Sequence, residues 1–294
     1  MVNNDKKALL LGLCSVALWS TVATAFKLSL AYLSPLMLVT LASFTSLGFF
    51  GAWVVVSGIW RSLRLAARRD IATALGIGAL NPALYYTLLF EAYARLPAQE
   101  AMALNYTWAL TLPLLAAPLL KQALTKHDLI AAITSYAGVL VIATRGAPWT
   151  LSMAEPTGVM LALGSTVLWA LCWIANTRHT LDPVVALFLN FCIASPLLLG
   201  IVIARGEWQT PSMEGLLGAL YVGFFEMGIS FVCWLYAMRL TSRTARISTL
   251  IFLAPAISLI LIAGVLDEPV HRYTLVGLAF ILGGLFYQHR PVSD

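Results

Sequence analysis

A single acidic side chain lies deep within the apolar part of this 294-residue chain. Glu226, in the stretch GFFEMGIS, is the only ionisable residue near the centre of a long apolar segment, because every aspartate and histidine falls in a loop or tail. A carboxylate in lipid costs roughly 2.5–3.5 kcal/mol or more, so Glu226 is expected to face a wet cavity or a partner. Three roles fit: binding the ammonium group of a solute, carrying a proton exchanged for solute, or hydrogen bonding between helices.

Aromatic rings within the apolar segments provide a second clue to chemistry. Trp19 and Trp169 lie in the related stretches SVALWS and STVLWA, 150 residues apart, and Tyr85 and Tyr86 follow Asn81 by one helical turn. Indole and phenol groups with a few polar partners suit aromatic or apolar solutes; alternatively, the rings fill gaps between helices or face lipid. The predicted substrate-binding residues are Trp19, Asn81, Tyr85, Tyr86, Asn105, Trp108, Trp169, Trp173, Glu226 and Ser248.

Glycines and prolines within the same segments predict helix breaks. Pro82 removes a backbone donor and frees a carbonyl that water or solute could use. Gly223 and Gly228 let neighbouring backbones pack closely or bend, and Pro113 and Pro255 are expected to act similarly in another pair of segments. Both residue types are also frequent in ordinary membrane helices, so the prediction of gating depends on their pairing.

The composition identifies the elements that must position these residues. Hydrophobic residues make up 60% of the chain and charged residues 11%, and the mean hydropathy is +0.87. A soluble domain carries roughly 25% charged residues. Because so few charges cannot cover a water-exposed surface, the chain is predicted to be an all-α integral membrane protein.

Ten apolar segments divide the chain, and most have the ~20 residues needed to cross a hydrocarbon core about 30 Å thick. Helices satisfy their own backbone groups in lipid, so each segment is predicted to be a transmembrane helix. The segments, numbered as spans 1 to 10, are 8–27, 34–57, 71–94, 98–119, 128–144, 155–176, 183–204, 212–238, 245–265 and 271–287.

The positive charges predict the orientation of these spans. With the amino terminus inside, thirteen of the 18 Lys and Arg residues lie in inner loops and five in outer loops. Inner loops carry the excess in membrane proteins. We therefore expect a multi-pass protein of a bacterial inner membrane with both termini in the cytoplasm.

An internal repeat explains why two tryptophan motifs occur. Further matches between the halves pair Arg95-Leu96 with Arg239-Leu240, Pro113 with Pro255, Gly138 with Gly283 and Arg145 with Arg290. Residues 1–146 and 147–294 are thus predicted to be two five-helix repeats of one integrated transmembrane domain. Because five is odd, the second repeat is inverted, a design of secondary transporters with the solute site between the halves. Chance similarity among leucine-rich helices is the alternative.

Several motifs together resemble a known family. They are the run from Trp19-Ser20 to Lys27, Ser34-Pro35, EAYARLPAQEA, Pro113, LYAMRLTSRTA, Pro255, LDEP and Gly277. This pattern resembles the ten-helix EamA-type proteins of the drug/metabolite transporter superfamily, and more narrowly bacterial exporters of aromatic and other neutral amino acids. The resemblance implies the direction of transport, which the residues alone do not.

The sequence lacks the residues that other classes of function require. A membrane enzyme would need a nucleophile with a base, a metal cluster or a phosphate-binding arginine pair within the membrane, so the chain is not expected to be an enzyme. The cysteines have no metal-ligand spacing, and we expect no disulfide, metal or cofactor. Without a GxxxxGK[ST] loop, energy would come from the solute gradient or an ion. A channel or a structural membrane protein is the alternative from another class.

Together these features predict a secondary transporter that exports aromatic and other apolar amino acids, or related small metabolites, by alternating access. Spans 1, 3, 4, 6, 8 and 9 are expected to line its central cavity. A multidrug or other metabolite transporter on the same scaffold is the alternative. The expected partners are a small-molecule substrate and the lipid bilayer, without nucleic acid. Spans 5 and 10 are predicted to give peripheral support or a dimer contact, leaving monomer and homodimer open.

Overall fold

The structure is a computed structural model that describes residues 2–64, 66–121, 126–150, 153–176, 179–241, 247 and 249–288. Within these ranges every regular element is a helix. Seven helices are long and apolar enough to cross a membrane, and three shorter apolar helices stand where spans 5, 9 and 10 are predicted. In chain order the ten are Asn4–Leu30, Pro35–Val56, Arg68–Arg95, Ala98–Leu120, Asp128–Ala143, Pro156–Asn176, Pro183–Ala204, Met213–Leu240, Leu250–Val265 and Arg272–Tyr287.

Local sequence explains where several spans begin. The Ser34 hydroxyl accepts a hydrogen bond from the Met37 N–H at 3.3 Å, and the Asp182 carboxylate accepts one from the Val184 N–H at 2.9 Å. In both cases proline occupies the first helical turn, where its missing N–H leaves no intrahelical bond unmade. The Ser-Pro and Asp-Pro pairs therefore determine the first residues of spans 2 and 7.

Two spans contain a wide helical turn near their centres. Span 3 consists of the helix Arg68–Gly78, a wide segment Ala79–Leu84 that is kinked at Asn81, whose backbone is not helical (φ −142°, ψ 118°), and the helix Tyr85–Arg95. Span 8 has the same order, with the π-helical segment Val222–Ile229 between its two helices. Such π-helical turns are rare and are frequent at functional sites. These two segments coincide with Asn81-Pro82 and with Glu226.

Spans 1 and 4 are interrupted at positions without glycine or proline. Span 1 divides at Thr21, whose hydroxyl hydrogen-bonds with the Tyr221 hydroxyl of span 8 at 2.7 Å. Span 4 divides into Ala98–Asn105 and Trp108–Leu120. The interruption therefore precedes Pro113, which lies inside the helix Trp108–Leu120; the bending or gating expected of this proline stays a prediction.

Pro255 is the other predicted break that the structure places differently. The helix of span 9 runs from Leu253 to Val265, and a 3₁₀ segment Thr249–Phe252 precedes it. Pro255 therefore lies in the first turn, where a proline removes no intrahelical hydrogen bond. The change of helix type comes before this residue.

The spans pack in a reciprocal pattern. Span 1 packs on span 8 and span 6 on span 3; span 4 packs on span 6 and span 9 on span 1; span 3 packs on span 7 and span 8 on span 2. Span 2 also packs on span 7, and span 5 on span 10. Two equivalent halves of five spans, facing each other, produce such a pattern. The division at residue 146 stays a prediction.

Glycines allow two of these contacts to be close. Gly78 of span 3 lies against the backbone of Asn190 in span 7, and Gly223 of span 8 lies against the backbone carbonyl of Ala42 in span 2. A Cβ added at Gly78 would stand 2.8 Å from the Asn190 Cα, closer than real Cβ contacts. The two sites are equivalent in the repeat, so both halves use glycine for the same purpose.

Spans 5 and 10 pack on each other at one side of the bundle. Gly138 faces the backbone carbonyl of Gly277, Gly277 faces that of Gly138, and the Ser135 hydroxyl donates to the Ile281 carbonyl at 3.1 Å. Gly138 and Gly277 therefore allow the backbones of spans 5 and 10 to approach closely. Large apolar side chains such as Ile133, 73% exposed, point away from the bundle and form a surface suited to lipid.

Candidate functional site

A cavity lies between spans 1, 3, 4, 6, 8 and 9, the six spans expected to line it. With the open space at its mouth, the cavity has an empty volume of about 660 Å³. Its wall is mainly aromatic and aliphatic. The lining residues are Trp19, Val22, Ala23, Phe26, Tyr85, Leu89, Tyr93, Met102, Asn105, Tyr106, Trp108, Trp169, Glu226, Ile251 and Ser258.

Glu226 brings a carboxyl group to this wall. It lies within the π-helical segment of span 8 and is 9% exposed. Its Oε1 accepts a hydrogen bond from the Tyr86 hydroxyl at 3.1 Å, whereas its Oε2 has no hydrogen-bond partner among the described residues. A buried carboxyl oxygen without a partner is costly, so it is the natural place for a donor on a solute.

Trp169 is the centre of the aromatic wall. Its ring lies 4.8 Å from Tyr85, 5.6 Å from Phe231 and 6.1 Å from Trp108, measured between ring centroids. Its Nε1 makes no hydrogen bond within the part of the chain that the structure describes. Trp19 packs on the same Phe231 at 5.8 Å. The two repeat-related tryptophans thus meet at one phenylalanine.

Neutral polar groups complete the wall. The Asn105 side chain, on the last turn before the interruption of span 4, donates to the Ser165 hydroxyl at 3.2 Å and more weakly to the Tyr85 hydroxyl at 3.5 Å. The Ser258 hydroxyl of span 9 has no hydrogen-bond partner among the residues described. These amide and hydroxyl groups add hydrogen-bonding capacity without charge.

Some predicted residues lie outside this cavity. Asn81, Pro82 and Tyr86 line a smaller one, with an empty volume of about 260 Å³, beside spans 7 and 8. Because Tyr86 belongs to the smaller cavity and Glu226 to the larger, their hydrogen bond joins the walls of the two. Trp173 stands behind Trp169, with ring centroids 6.3 Å apart. Ser248 falls outside the described residues.

The predicted glycine positions in span 8 belong to its π-helical segment. Gly223 contacts span 2, and the Ser46 hydroxyl donates to its carbonyl at 2.8 Å. A Cβ at Gly228 would lie 3.1 Å from the Gly223 carbonyl and 3.1 Å from the Phe49 ring. Gly223 therefore allows span 2 to approach closely, and Gly228 leaves space for the Gly223 carbonyl and the Phe49 ring within and beside the segment that carries Glu226.

Sequence reasoning missed part of the lining, although the signal was present. Phe26 lies on the same helical face as Trp19, seven residues later, with Val22 and Ala23 between them. Leu89 and Tyr93 follow Tyr85 at intervals of four residues. Residues spaced by three or four share one face of a helix, so extending each candidate along its face would have found them.

A partly buried polar cluster lies at the end of the bundle where spans 3 and 4 meet spans 9 and 10; we call it the end cluster. It consists of Ala98, Gln99, Glu100, Arg145, Glu268, Pro269, His271 and Tyr273. Glu100 accepts hydrogen bonds from Arg145 Nε at 3.0 Å and from the Tyr273 hydroxyl at 2.8 Å. The cluster joins the two halves at that end.

Two cysteines meet where span 1 packs on span 8. The Sγ atoms of Cys14 and Cys233 lie 4.0 Å apart, and both residues are free thiols. Within the described residues, no group of three or more His, Cys, Asp or Glu residues is arranged to hold a metal ion.

The model of the EamA-like transporter family matches residues 6–144 and matches again over residues 156–287. The chain belongs to the EamA-like transporter family. It is therefore a membrane transporter and not an enzyme, with the ten-helix membrane fold of that family. The motifs quoted from the sequence fall within the two matched regions, so the resemblance they predict is confirmed.

Among the relatives of this EamA-like transporter is the aromatic amino acid exporter YddG of Ancylobacter novellus, 27% identical over 285 residues, which cover 94% of this chain and 95% of the relative. The uncharacterized transporter YvbV of Bacillus subtilis is 27% identical over 274 residues, covering 91% and 86%. A solved crystal structure covers 96% of both chains with a TM-score of 0.64 at 23% identity, which shows the fold.

Proposed function

We propose that this transporter exports aromatic and other apolar amino acids, or related small metabolites, through the cavity by alternating access. The main support is that one cavity between the halves contains both an aromatic wall and a carboxyl oxygen, Glu226 Oε2, without a hydrogen-bond partner among the described residues. Aromatic rings bury the side chain of such a solute, and Glu226 binds its ammonium group. The relative YddG is named an exporter of aromatic amino acids, which supports the same substrate class.

The arrangement of the halves supports alternating access. The solute site lies where interrupted spans from both halves meet, as in other transporters built from inverted repeats. We place the protein in a bacterial inner membrane with both termini in the cytoplasm, so the end cluster lies on the outer side. In this orientation the hydrogen bonds between Gln99 and Glu268 close the outer end.

Counterflow tests this proposal directly. Purified protein in liposomes preloaded with unlabelled phenylalanine is given labelled phenylalanine, with and without a pH gradient. We expect saturable uptake that requires the internal solute. A response to the gradient that disappears in Glu226→Gln would assign proton transfer to this residue. Absence of exchange by folded protein would remove phenylalanine as a substrate and contradict the proposal.

A transporter of drugs or other metabolites is the second candidate. The observation that favours it is the lining around Glu226, which carries no other charged residue in the part of the chain described. Such a lining sets few requirements for the polar groups of a solute. Competition distinguishes the two: inhibition of phenylalanine counterflow by aromatic amino acids alone favours the first, and equal inhibition by unrelated apolar cations favours the second.

A further inference from the structure

We propose that the cavity recognises its ligand through an ammonium group and an aromatic ring, without a partner for a carboxylate, so that aromatic monoamines bind more tightly than the corresponding amino acids. The inference concerns the cavity of the proposed function and rests on its use as the solute site. It narrows the ligand chemistry: one positive charge on an aromatic skeleton is the preferred pattern.

The charges around the cavity favour a cationic ligand. Among the described residues that line it, Glu226 supplies the only carboxyl group, and no lysine, arginine or histidine occurs. Two basic residues, Arg145 and Lys27, are not part of this lining: Arg145 pairs with Glu100 at 3.0 Å, and Lys27 follows the lining residue Phe26 in span 1. The cavity therefore offers a ligand one acidic partner and no basic one.

One carboxyl oxygen of Glu226 is available to a donor on the ligand. Tyr86 donates to Oε1, and Oε2 is buried without a partner among the residues described. A primary ammonium group has three donors and can satisfy Oε2 with a charge-assisted bond. The faces of Trp19, Trp108 and Trp169, which line the same cavity, stabilise a nearby cation further.

A ligand carboxylate finds the opposite conditions. The donors of the lining are all neutral: they are the Ser258 hydroxyl, tyrosine hydroxyls, tryptophan indoles and the Asn105 amide, which already donates to Ser165. A buried carboxylate without a cation loses its hydration with little compensation, and it repels a second carboxylate nearby. An amino acid thus carries a carboxylate for which this cavity has no cationic partner. The decarboxylated amine lacks that group.

The test compares four phenyl ligands with purified wild-type protein: phenylalanine, phenylalanine amide, 2-phenylethylamine and 3-phenylpropionate. Binding is measured by calorimetry in detergent, because neutral amines leak through bilayers and would obscure transport. We expect both carboxylate-free amines to bind about tenfold more tightly than phenylalanine, a ratio well within the effect of one unpaired buried charge. 3-Phenylpropionate is expected to bind weakest.

Two variants assign the preference to the proposed group. Glu226→Gln keeps the shape of the side chain and is expected to abolish the tenfold advantage of the amines. Glu214→Gln, an exposed acid at the start of the same span, is the matched control and is expected to keep it. If Glu226→Gln does not fold, the wild-type order of affinities still decides.

Ligand binding and phenylalanine counterflow together distinguish a failure of this inference from a failure of the proposed function. Phenylalanine binding as tight as or tighter than that of the two amines overturns the inference while counterflow of phenylalanine still supports the function. Tight binding of amines with no phenylalanine counterflow supports the inference and overturns amino-acid export. Failure of every ligand to bind folded protein overturns both.

Discussion

Gln99 and Glu268, which belong to different halves, are joined by a direct hydrogen bond from Gln99 Nε2 to Glu268 Oε1 at 2.9 Å. The same carboxylate accepts hydrogen bonds from the backbone N–H groups of Ala98 at 3.0 Å and Gln99 at 3.4 Å. Glu268 thereby satisfies the free N–H groups at the start of span 4, where the helix dipole also favours a negative charge. One side chain of the second half holds a helix end of the first.

Glu268→Gln should open that end more often. The amide is a weaker acceptor than a carboxylate, and hydrogen bonds to charged groups contribute about 1.5–3 kcal/mol. We expect a cysteine placed in the cavity by Met102→Cys to react several-fold faster with a membrane-impermeant thiol reagent added outside intact cells. Glu207→Gln, whose carboxylate pairs loosely with Arg205 at 3.7 Å, is the control. Equal reactivity in both variants would argue against an outer closure.

Gly78→Ala should destabilise the protein, whereas Gly76→Ala should not. A Cβ at Gly78 collides with the backbone of Asn190, but a Cβ at Gly76 meets nothing within 4 Å. Overpacking costs about 1–3 kcal/mol, while alanine in place of an exposed helical glycine is neutral or favourable by up to ~1 kcal/mol. Thermal unfolding in detergent measures both. Equal melting temperatures would show that spans 3 and 7 separate easily.

Trp169→Phe should weaken phenylalanine binding, and Trp173→Phe should leave it unchanged. Trp169 lines the cavity and contacts four other rings, and one of these, Trp173, stands behind it. An aromatic pair contributes about 0.5–1.5 kcal/mol beyond its buried area, which corresponds to roughly a 2–10-fold change in affinity. Calorimetry on the two variants provides the comparison. A larger effect at Trp173 would place the solute elsewhere.

Mild oxidation should link Cys14 to Cys233. Their Sγ atoms are 4.0 Å apart, so formation of a bond of about 2.05 Å needs only a small approach of the side chains. A protease site inserted in the loop between spans 5 and 6 gives two fragments, which remain joined in a non-reducing gel if the bond forms.

Cys14→Ser is the control for this reaction and should give separate fragments. Because the bond would tie span 1 to span 8, we expect oxidation to slow counterflow in the parent protein and not in the control. Unchanged alkylation of both thiols after oxidation would show that the two spans do not bring them together in the membrane.

The sequence predicted the number of spans and the central carboxyl group because both depend on the cost of polar groups in lipid. A run of about 20 apolar residues and an isolated Glu226 are signals that need no tertiary information. The repeat-related tryptophans pointed to the lining spans for a different reason: equivalent positions in two facing halves meet at their common axis.

The interruptions of spans 1 and 4 could not be predicted in this way. Neither Thr21 nor Tyr106 is a helix breaker by propensity, and the Thr21 break is accompanied by a hydrogen bond to Tyr221, 200 residues away. Conversely, Pro113 lies in an unbroken helix, because neighbouring spans and hydroxyl groups can compensate for a missing backbone bond in membranes. Tertiary contacts decide these cases.

The segments Ala79–Leu84 and Val222–Ile229 occupy equivalent places, yet the first is kinked at Asn81-Pro82 and the second is π-helical and carries Glu226. If both halves had identical sequences, exchanging their conformations would convert the outward-open carrier into the inward-open one. The two states would then have the same free energy. The difference at this place removes that equality, and each 1.4 kcal/mol of imbalance changes the ratio of the two states about tenfold. In the proposed alternating-access cycle, the empty carrier would therefore favour one of its two orientations, and a ligand bound to Glu226 would shift their ratio only by as much as its affinity differs between the two.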